Sequence, residues 1–397
     1  MLKIGLVTGE YPPMEGGVGA FTAELGQALA TIGYDIHIIT SREARPEPAE
    51  RRLSTLQEPV QLPFGQLHPF VKKWNWSSLT QVADVVLREG LDVVNIQYQA
   101  AAYDMKSPAA NALPWRLQGL VKTAVTFHDL RVPYLLPKAA WLRRFAVNFM
   151  AQQAHGVIAT NPEDYTILQQ LNSRVRQIPI GSNIDVYRPH QLEIEEARQL
   201  LGLDNDAHLL GYFGFLNETK GADTLLHALA QLDASYHLVF IGGQTSSSDS
   251  ENNQQFLDQL QTLIGELGLT ERVHWTGFVA EKRVSTFLHA ADLMVMPYRD
   301  GVSLRRGTLM AVLAHGRPLL TTAPTVPTPE LAHGKNVWFV PPDDPDLLAK
   351  GIRRLSADGE LRQKLGETAV HVAARFTWDK IAAETAQFLA QLCVDEY

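Results

Sequence analysis

The chain has 397 residues, of which 45% are hydrophobic and 20% are charged, and its formal net charge is -8. This composition is ordinary for a globular protein of two or three domains, and the acidic balance argues against bulk binding of nucleic acid. The single cysteine, Cys393, excludes a disulfide framework within the chain and favours a reducing compartment.

The first half of the chain alternates predicted strands with predicted helices. The apolar run Leu2 to Thr8 predicts a buried parallel strand rather than a signal peptide, and a glycine loop and a helix follow it. Ser41 to Ser78 shows no regular pattern. Further strands are predicted at Ile36 to Thr40, Val93 to Gln97, Val121 to Phe127, Gly156 to Thr160 and Arg176 to Pro179. This order is typical of a doubly wound α/β domain.

A second series of strands and helices begins after a linker around Tyr187 to Glu195 and starts with the strand His208 to Phe213. We therefore predict an N-terminal domain over residues 1–190 and a C-terminal domain over 191–376. A last helix over 377–397 is predicted to pack back on the first domain. Ligands bind beyond the carboxyl ends of parallel strands, so we expect a site in a cleft between the two domains.

The segment Tyr298 to Gly316 carries the strongest functional signal. It follows a predicted strand, and Ser303 is predicted to cap a helix that ends at Gly316. Arg305 and Arg306 would lie in the first turn, where the helix dipole disfavours cations. A bound anion between the amides and the guanidinium groups would resolve this conflict, which predicts a phosphate site. The alternative is a pair of solvated arginines.

Two other loops precede helices and could bind phosphate. Gly16, Gly17 and Gly19 would let backbone amides approach a ligand closely, or they form only a tight turn. Lys220 could contact a diphosphate as a point charge, although isolated lysines usually lie in solvent. Because Lys220 and the two arginines occur in the same half of the chain, we favour a functional role for it.

His128 and Asp129 follow a predicted strand. His128 could hydrogen-bond a sugar hydroxyl while Asp129 orients its ring, or the pair could be a packed histidine beside a capping acid. We identify no cluster with metal-ligand spacing and predict no metal. Trp74, Trp76 and the basic helix that starts at Trp141 could contact a membrane surface or an acceptor, or could simply be packed.

Several segments together carry a family resemblance. They are Glu10 to Gly19, Thr126 to Leu130, Ile178 to Asp185, Lys220 with Gly221, Val273 to Val279, Val340 to Pro345 and Phe376 to Trp378. In this order and spacing the chain resembles glycosyltransferase family 4, the retaining nucleotide-sugar glycosyltransferases. The resemblance covers nearly the whole length. It implies the α/β fold GT-B, in which two facing doubly wound, Rossmann-like domains enclose a cleft.

The resemblance also implies the roles of individual residues. It makes the catalytic residues His128, Lys220 and Asp300. It makes the donor-binding residues Gly16, Gly17, Gly214, Phe278, Val279, Val302, Ser303, Leu304, Arg305, Arg306 and Thr308. It requires no metal and no cofactor, because the nucleotide sugar is a substrate.

Two departures from the family pattern matter. Phe215 stands where the family usually has an arginine, and the family's pair of glutamates eight positions apart is missing. Counted back from Gly316 the pair falls on Ser303 and Ala311. Counted forward from Asp300 it falls on Asp300 and Thr308, and we prefer this alignment because it keeps an acid for the donor sugar. Arg305 or Arg306 would then replace the missing guanidinium.

We therefore expect a retaining, metal-independent hexosyltransferase, with UDP-glucose as the default donor by family frequency. The acceptor would be a hydroxyl on a growing polysaccharide, a lipid-linked glycan or a small molecule, recognised by Ser41 to Ser78 and Gln99 to Pro114. We expect a cytoplasmic protein that binds no nucleic acid, and peripheral contact with a membrane is left open. The alternatives are a catalytically silent relative that binds nucleotide sugars or glycans, and a sugar-nucleotide epimerase of the same architecture.

Overall fold

The structure, a computed structural model, describes residues 2–14, 16–52, 58–103, 107–130, 140–182, 184–204, 206–242 and 250–394. Glu15 and Asn183, which belong to two of the sequence motifs, lie outside these ranges. The chain divides into two units, one formed by Met1–Ile180 with Trp378–Tyr397 and the other by Gly181–Thr377. The division thus falls at Ile180, where the sequence predicts it at residue 190.

The first unit contains an eight-stranded sheet with the order β3-β4-β2-β1-β5-β6-β7-β8. Its neighbouring strands are parallel except for β3, which runs antiparallel to β4. The strands are β1 (Lys3–Thr8), β2 (Asp35–Ser41), β3 (Val60–Leu62), β4 (Gly65–Val71), β5 (Val93–Tyr98), β6 (Lys122–Phe127), β7 (Gly156–Ala159) and β8 (Val175–Gln177).

Helices cover this sheet and explain its apolar strands. They are α1 (Gly17–Thr31), α2 (Trp76–Glu89), α3 (Leu113–Leu117), α4 (Ala140–Gln153) and α5 (Pro162–Leu168). Val82, Leu113 and Met150 from α2, α3 and α4 share one apolar core with strand residues, whereas Phe21 and Leu25 of α1 belong to another. Strands buried on both faces read as continuous apolar runs, which is why most of them could be predicted.

The expectation that Ser41 to Ser78 is irregular is wrong, because β3, β4 and the start of α2 lie in it. β4 pairs with β2 inside the sheet. His68 and Pro69 interrupt its apolar pattern, and proline is unusual in a central strand. The register between β2 and β4 shifts at Thr40 and Ser41, opposite Pro69, so the proline is accommodated at an irregular point of the ladder.

The second unit contains a six-stranded sheet with the order β11-β10-β9-β12-β13-β14, in which every neighbouring pair is parallel. The strands are β9 (His208–Phe213), β10 (Tyr236–Ile241), β11 (Val273–Trp275), β12 (Leu293–Met296), β13 (Leu319–Thr322) and β14 (Trp338–Val340). The helices are α6 (Gln191–Leu200), α7 (Ala222–Ala230), α8 (Ser250–Glu266), α9 (Glu281–Ala290), α10 (Gly307–Ala314), α11 (Pro345–Ser356) and α12 (Gly359–Ala373).

The predicted linker around Tyr187 to Glu195 runs into a helix, α6, that the sequence analysis did not predict. Glu193 supports the start of this helix, because its carboxylate accepts hydrogen bonds from the Tyr187 hydroxyl at 2.7 Å and the His190 amide at 2.9 Å. The last helix, α13 (Trp378–Val394), belongs to the first unit and packs against α1, with Ile381 and Leu389 in the same core as Phe21.

Strand order decides which loops meet. β9 and β12 are neighbours in the second sheet, so the loops that follow them, at Gly214 and Pro297, leave the same edge side by side. β5 and β6 are neighbours in the first sheet, which places Gln97 beside the residues that lead into His128. Among the described residues, no helix combines the length and the hydropathy of a membrane span.

Candidate active site

The segment between β12 and α10 forms an irregular loop at the carboxyl end of the second sheet. α10 begins only after Arg306, which occupies the cap position without a side-chain hydrogen bond, so the predicted cap at Ser303 is wrong. Val302 is buried and Leu304 packs against the same core, and these apolar contacts hold the segment as a loop. Arg305 therefore precedes the helix, and Arg306 alone stands at its N-terminus.

Two arginines and one acid meet over the buried ring of Tyr298. The guanidinium carbon of Arg306 lies 3.9 Å from the ring centroid, which is the geometry of a cation-π contact. The carboxylate of Asp300 forms ion pairs with Arg306 and, at 3.6 Å, with Arg305. The anion that the sequence predicts between the helix end and the arginines is therefore supplied, in this structure, by Asp300 itself.

The electrostatic demand of this cluster is not fully met. Nε of Arg306 is buried and makes no hydrogen bond to any of the residues that the structure describes. A buried donor without a partner is costly, typically by about 1–3 kcal/mol. A ligand with several acceptor oxygens would satisfy it better than one carboxylate does.

Lys220 reaches the same ring from the neighbouring loop. It ends a short turn, Glu218–Lys220, that Asn217 caps. Gly221 follows with φ +69°, and a Cβ atom there would lie 2.1 Å from the carbonyl oxygen of Pro297, so only glycine lets the two loops approach this closely. Nζ of Lys220 consequently lies 5.7 Å from the Tyr298 ring centroid.

The surroundings of Lys220 make it easy to deprotonate. Burial, with repulsion by Arg306 as the next cause, lowers the pKa of Lys220 to about 7, and the attraction of Asp300 only partly opposes this. An added anion would favour the charged form and raise this pKa again. Lys220 therefore has the properties of a group that is charged fully only when an anion is bound.

Arg299 fixes the Lys220 turn in place. Its Nη1 donates to the carbonyl of Glu218 at 2.9 Å, and its other nitrogens bind the carboxylates of Asp223 at 2.5 Å and Asp343 at 2.6 Å. The backbone amide of Arg299 also donates to the carbonyl of Thr219. These contacts tie the turn to the first residues after β12, and so they set where Lys220 points.

The loop after β9 also touches the start of α10. Gly214 has φ +120°, and a Cβ atom there would lie 2.9 Å from Cγ2 of Thr308. Thr308 in turn shares a side-chain hydrogen bond with Tyr298. A side chain at position 214 would therefore push on the helix end that carries the cation cluster.

The segment predicted to read the base lies beside the same loop. The amide of Gly242 donates to Oγ1 of Thr276 at 3.0 Å, and a Cβ atom at Gly242 would lie 4.0 Å from the Gly214 nitrogen. Phe278 is 72% exposed, whereas Val279 packs against the core. Of this pair, only Phe278 presents an accessible apolar side chain.

The structure thus brings together most of the residues predicted for the second unit. The residues that converge around Tyr298 are Gly214, Lys220, Asp300, Arg305, Arg306 and Thr308. The side chains of Val302 and Leu304 serve the core, so only their backbone could contact a donor. Their roles and that of Ser303 in binding a donor stay predictions.

His128, predicted for the first unit, is a neutral imidazole. Its amide donates to the Tyr98 carbonyl, and its ring packs edge-on against Phe21 at 4.6 Å. Nε2 lies 3.0 Å from Oε1 of Gln97. Because that oxygen can only accept, Nε2 carries the proton and Nδ1 is an acceptor. Burial lowers the pKa of His128 to about 3, so the ring stays uncharged at neutral pH.

The predicted glycine loop at the start of α1 already holds an anionic group. Oε1 of Glu10 accepts hydrogen bonds from the amides of Val18 at 3.0 Å and Gly19 at 3.3 Å. A Cβ atom at Gly16 would lie 2.1 Å from the carboxylate of Glu10, whereas one at Gly17 would meet nothing within 4 Å. Gly16 therefore has a packing role, and a ligand contact at either glycine stays a prediction.

One group of residues offers metal-ligand atoms. His37, His68 and Glu89 place three such atoms within 4.8 Å of one another. However, Nδ1 of His37 and Nε2 of His68 lie 3.0 Å apart in nearly coplanar rings, and Nη2 of Arg88 lies 3.4 Å from Nδ1 of His68. Because Arg88 can only donate, His68 donates to His37. This hydrogen-bond chain uses the lone pairs that a metal would need.

Comparison with known proteins assigns both units. A model described as glycosyl transferases group 1 matches residues 193–372, and a glycosyl transferase 4-like domain matches residues 16–181. The chain belongs to glycosyltransferase family 4. Among curated relatives, the D-inositol 3-phosphate glycosyltransferase of Acidothermus cellulolyticus is 25% identical over 95% of this chain and 87% of its own length. That of Streptomyces bingchenggensis is 30% identical, but over only 53% of this chain and 46% of its own length.

Solved structures share the fold. The sucrose-phosphate synthase of Thermosynechococcus elongatus has a TM-score of 0.78 and 22% identity, and the comparison covers 99% of both chains. HepE of Anabaena, solved with UDP and glucose, has a TM-score of 0.74 and 19% identity over 98% of this chain and all of that one. The expected GT-B fold, with its parallel-sheet α/β domains, is confirmed.

Sequence reasoning missed three residues that shape this site. Tyr298 was read only as part of a motif, yet its ring is the surface on which the cations gather. Arg299 and Gln97 position Lys220 and His128. The neighbouring strands β5 and β6 give a signal for Gln97, because both ends carry polar residues. The contacts of Arg299 span three separate loops, and no local pattern reveals them.

Proposed function

We propose that this protein transfers glucose from UDP-glucose to a hydroxyl acceptor with retention at the anomeric carbon and without a metal ion. The observation that carries the proposal is the convergence of Lys220, Arg305 and Arg306 at the carboxyl ends of β9 and β12. Three cations beside a helix N-terminus suit a diphosphate. The titles of the HepE structures, which name UDP and UDP-glucose, support this donor.

The difficult step is departure of the diphosphate while positive charge develops on the sugar. Groups that are already oriented toward the growing negative charge lower this barrier most effectively. Lys220 and Arg306 flank the Tyr298 ring, and the unsatisfied Nε of Arg306 offers one further donor. The two arginines would supply the guanidinium that Phe215 does not.

Asp300 must change partners when the donor binds. In the structure its carboxylate neutralises both arginines, and a diphosphate would compete for the same guanidinium groups. Once released, Asp300 would accept a hydrogen bond from a hydroxyl of the donor sugar, which is the role that its position in the motif suggests. The leaving phosphate itself would accept the acceptor's proton, as the resemblance to retaining enzymes implies.

His128 would position the donor sugar rather than exchange a proton. With Nε2 donating to Gln97, its Nδ1 can accept a hydrogen bond from a sugar hydroxyl. A pKa of about 3 makes it a poor general base at neutral pH. Replacement of His128 by Ala should therefore reduce transfer without changing its pH dependence.

The experiment is a ligand panel followed by product analysis. Melting temperatures are measured with UDP, GDP, ADP and their glucose or mannose conjugates. A ligand at about 100 times its dissociation constant adds roughly 2.7 kcal/mol to the free energy of unfolding. UDP and UDP-glucose should stabilise most, and incubation with a hydroxyl acceptor should yield an α-glucoside. A β-glucoside, or preferential stabilisation by GDP or ADP, would contradict the proposal.

A second candidate, a relative that binds the donor but does not transfer it, is favoured by one observation. Ser303 and Thr308 stand at positions where alignments put the family's acids, and the remaining acid, Asp300, is engaged by arginines. Such a protein would bind UDP-glucose yet release neither UDP nor glucose over long incubation with acceptors. Release of UDP that depends on an acceptor would exclude this candidate.

A further inference from the structure

The N-terminal half of α4 exposes large apolar side chains. Trp141 is 68% exposed, Leu142 50% and Phe145 66%. Helices of the same sheet face, by contrast, bury their apolar residues in the core. Three neighbouring large apolar side chains in contact with water are uncommon on a monomeric protein, and such a patch usually marks an interaction surface.

The neighbouring helix α3 extends this surface. α3 packs against α4, and Trp115 on α3 is 52% exposed. Arg116 follows Trp115, and Arg143 and Arg144 lie between the apolar residues of α4. We call the surface formed by these residues the α4 patch. Its members are Trp115, Arg116, Trp141, Leu142, Arg143, Arg144 and Phe145.

The charge of this region is opposite to that of the protein. Residues 107–153 contain six lysines and arginines and one acid, Asp129, and neither α3 nor α4 contains any acid. The whole chain has a net charge of -8, so the rest of it carries -13. Cations are therefore concentrated on the part of the first unit that exposes its aromatic side chains.

We propose that the α4 patch docks on the surface of a membrane that contains anionic lipids. Tryptophan and phenylalanine insert readily at the boundary between headgroups and acyl chains, and neighbouring arginines bind anionic headgroups. Charge favours this occupant over a second copy of the chain, because a two-fold contact through the patch would bring its arginines against each other. Leu142 and Phe145 have no polar group to bind a carbohydrate.

Docking through the patch would orient the first unit. α4 follows β6 and the segment that carries His128, so the patch belongs to the carboxyl side of the sheet, where parallel α/β sheets bind their ligands. The surface would therefore suit an acceptor that is itself held in a membrane. This inference does not depend on the donor, and it can be tested without any assay of transfer.

The test measures binding of the full chain to sedimenting vesicles made of equal parts phosphatidylglycerol and phosphatidylcholine, and to vesicles of phosphatidylcholine alone. One variant combines Trp141→Ser with Phe145→Ser, and a second carries Arg144→Glu. The matched controls are Leu192→Ser on α6 and Lys350→Glu on α11, which change exposed residues of the second unit. Melting temperatures establish that every variant is folded.

We expect the wild type to bind the anionic vesicles and to leave the neutral ones largely free. Each patch variant should bind at least about tenfold more weakly, because it loses either inserted aromatic area or headgroup attraction. Both controls should bind like the wild type. Equal binding to neutral vesicles, no binding to either kind, or patch variants that bind as well as the controls would overturn the proposal. A concentration-dependent dimer that only the patch variants abolish would identify a second copy as the occupant and would overturn it too.

Discussion

The sharpest prediction concerns the charge of Lys220. Burial and the repulsion of Arg306 lower its pKa to about 7, so the lysine loses its proton within an accessible pH range. A bound diphosphate would stabilise the ammonium form and return the pKa to its ordinary value of 10.5 or above. Binding of UDP should therefore take up a proton wherever the free protein is deprotonated, and affinity should fall as pH rises above 7.

The size of this effect follows from the two pKa values. Between pH 6.5 and pH 8.5 the protonated fraction of Lys220 in the free protein falls from about three quarters to about 3%. If Lys220 stays charged in the complex, the dissociation constant for UDP should rise roughly 25-fold over this interval. This corresponds to a loss of about 2 kcal/mol of binding free energy.

Isothermal titration calorimetry at several pH values and in buffers of different ionisation enthalpy measures both the affinity and the proton uptake. The matched control is Lys220→Arg, which keeps a cation that does not titrate in this range. Ionisation of UDP itself affects both proteins equally. A wild-type affinity that changes with pH no more than that of the arginine variant would refute the reasoning. So would a complex that takes up no proton at pH 8.5.

Three further substitutions test the neighbouring contacts. Asp300→Asn removes the anion that competes for both arginines, so UDP should bind roughly tenfold more tightly at pH 6.5, and weaker binding would contradict competition. Gly214→Ala places a methyl group 2.9 Å from Thr308 in a strained conformation and should lower the melting temperature by roughly 3–10 °C, whereas Gly334→Ala, strained but without a contact, should lower it less. Arg299→Ala frees the Lys220 turn and should weaken UDP binding by roughly tenfold, whereas Arg375→Ala, which also removes an ion pair, should not; equal affinities would show that Arg299 does not position Lys220.

Much of the fold could be predicted because apolar runs report burial on both faces of a sheet. β1, β5 and β6 follow this rule, and the prediction placed each of them to within about two residues. The rule failed for β4, where His68 and Pro69 break the run although the strand is buried. It also failed for α6, since Glu193 supports its start from within a stretch that reads as a polar linker.

The candidate site was predictable as a set of residue types but not as a geometry. Arg305 and Arg306 stand out in the sequence because cations are unfavourable at a helix N-terminus. The sequence did not reveal that α10 begins only after Arg306, because burial of Val302 and Leu304 decides it. Such tertiary contacts override local capping preferences.

The partners of the predicted residues were harder to foresee. Gln97 contacts His128 from a neighbouring strand, and Asp300 neutralises the arginines that it was expected to accompany. Both contacts depend on strand order and on the path of a loop. A single sequence provides the residues of such a network, whereas their pairing needs the fold.

The central claim is that Lys220, Arg305 and Arg306 hold the diphosphate of the donor. The most direct measurement is UDP affinity at pH 6.5 for Lys220→Ala, Arg305→Ala and Arg306→Ala, with Arg375→Ala as the control. Charge-assisted hydrogen bonds contribute about 1.5–3 kcal/mol each, so the three cluster variants should each lose roughly 10- to 100-fold in affinity while the control keeps it. Wild-type affinity in all three cluster variants would contradict the account.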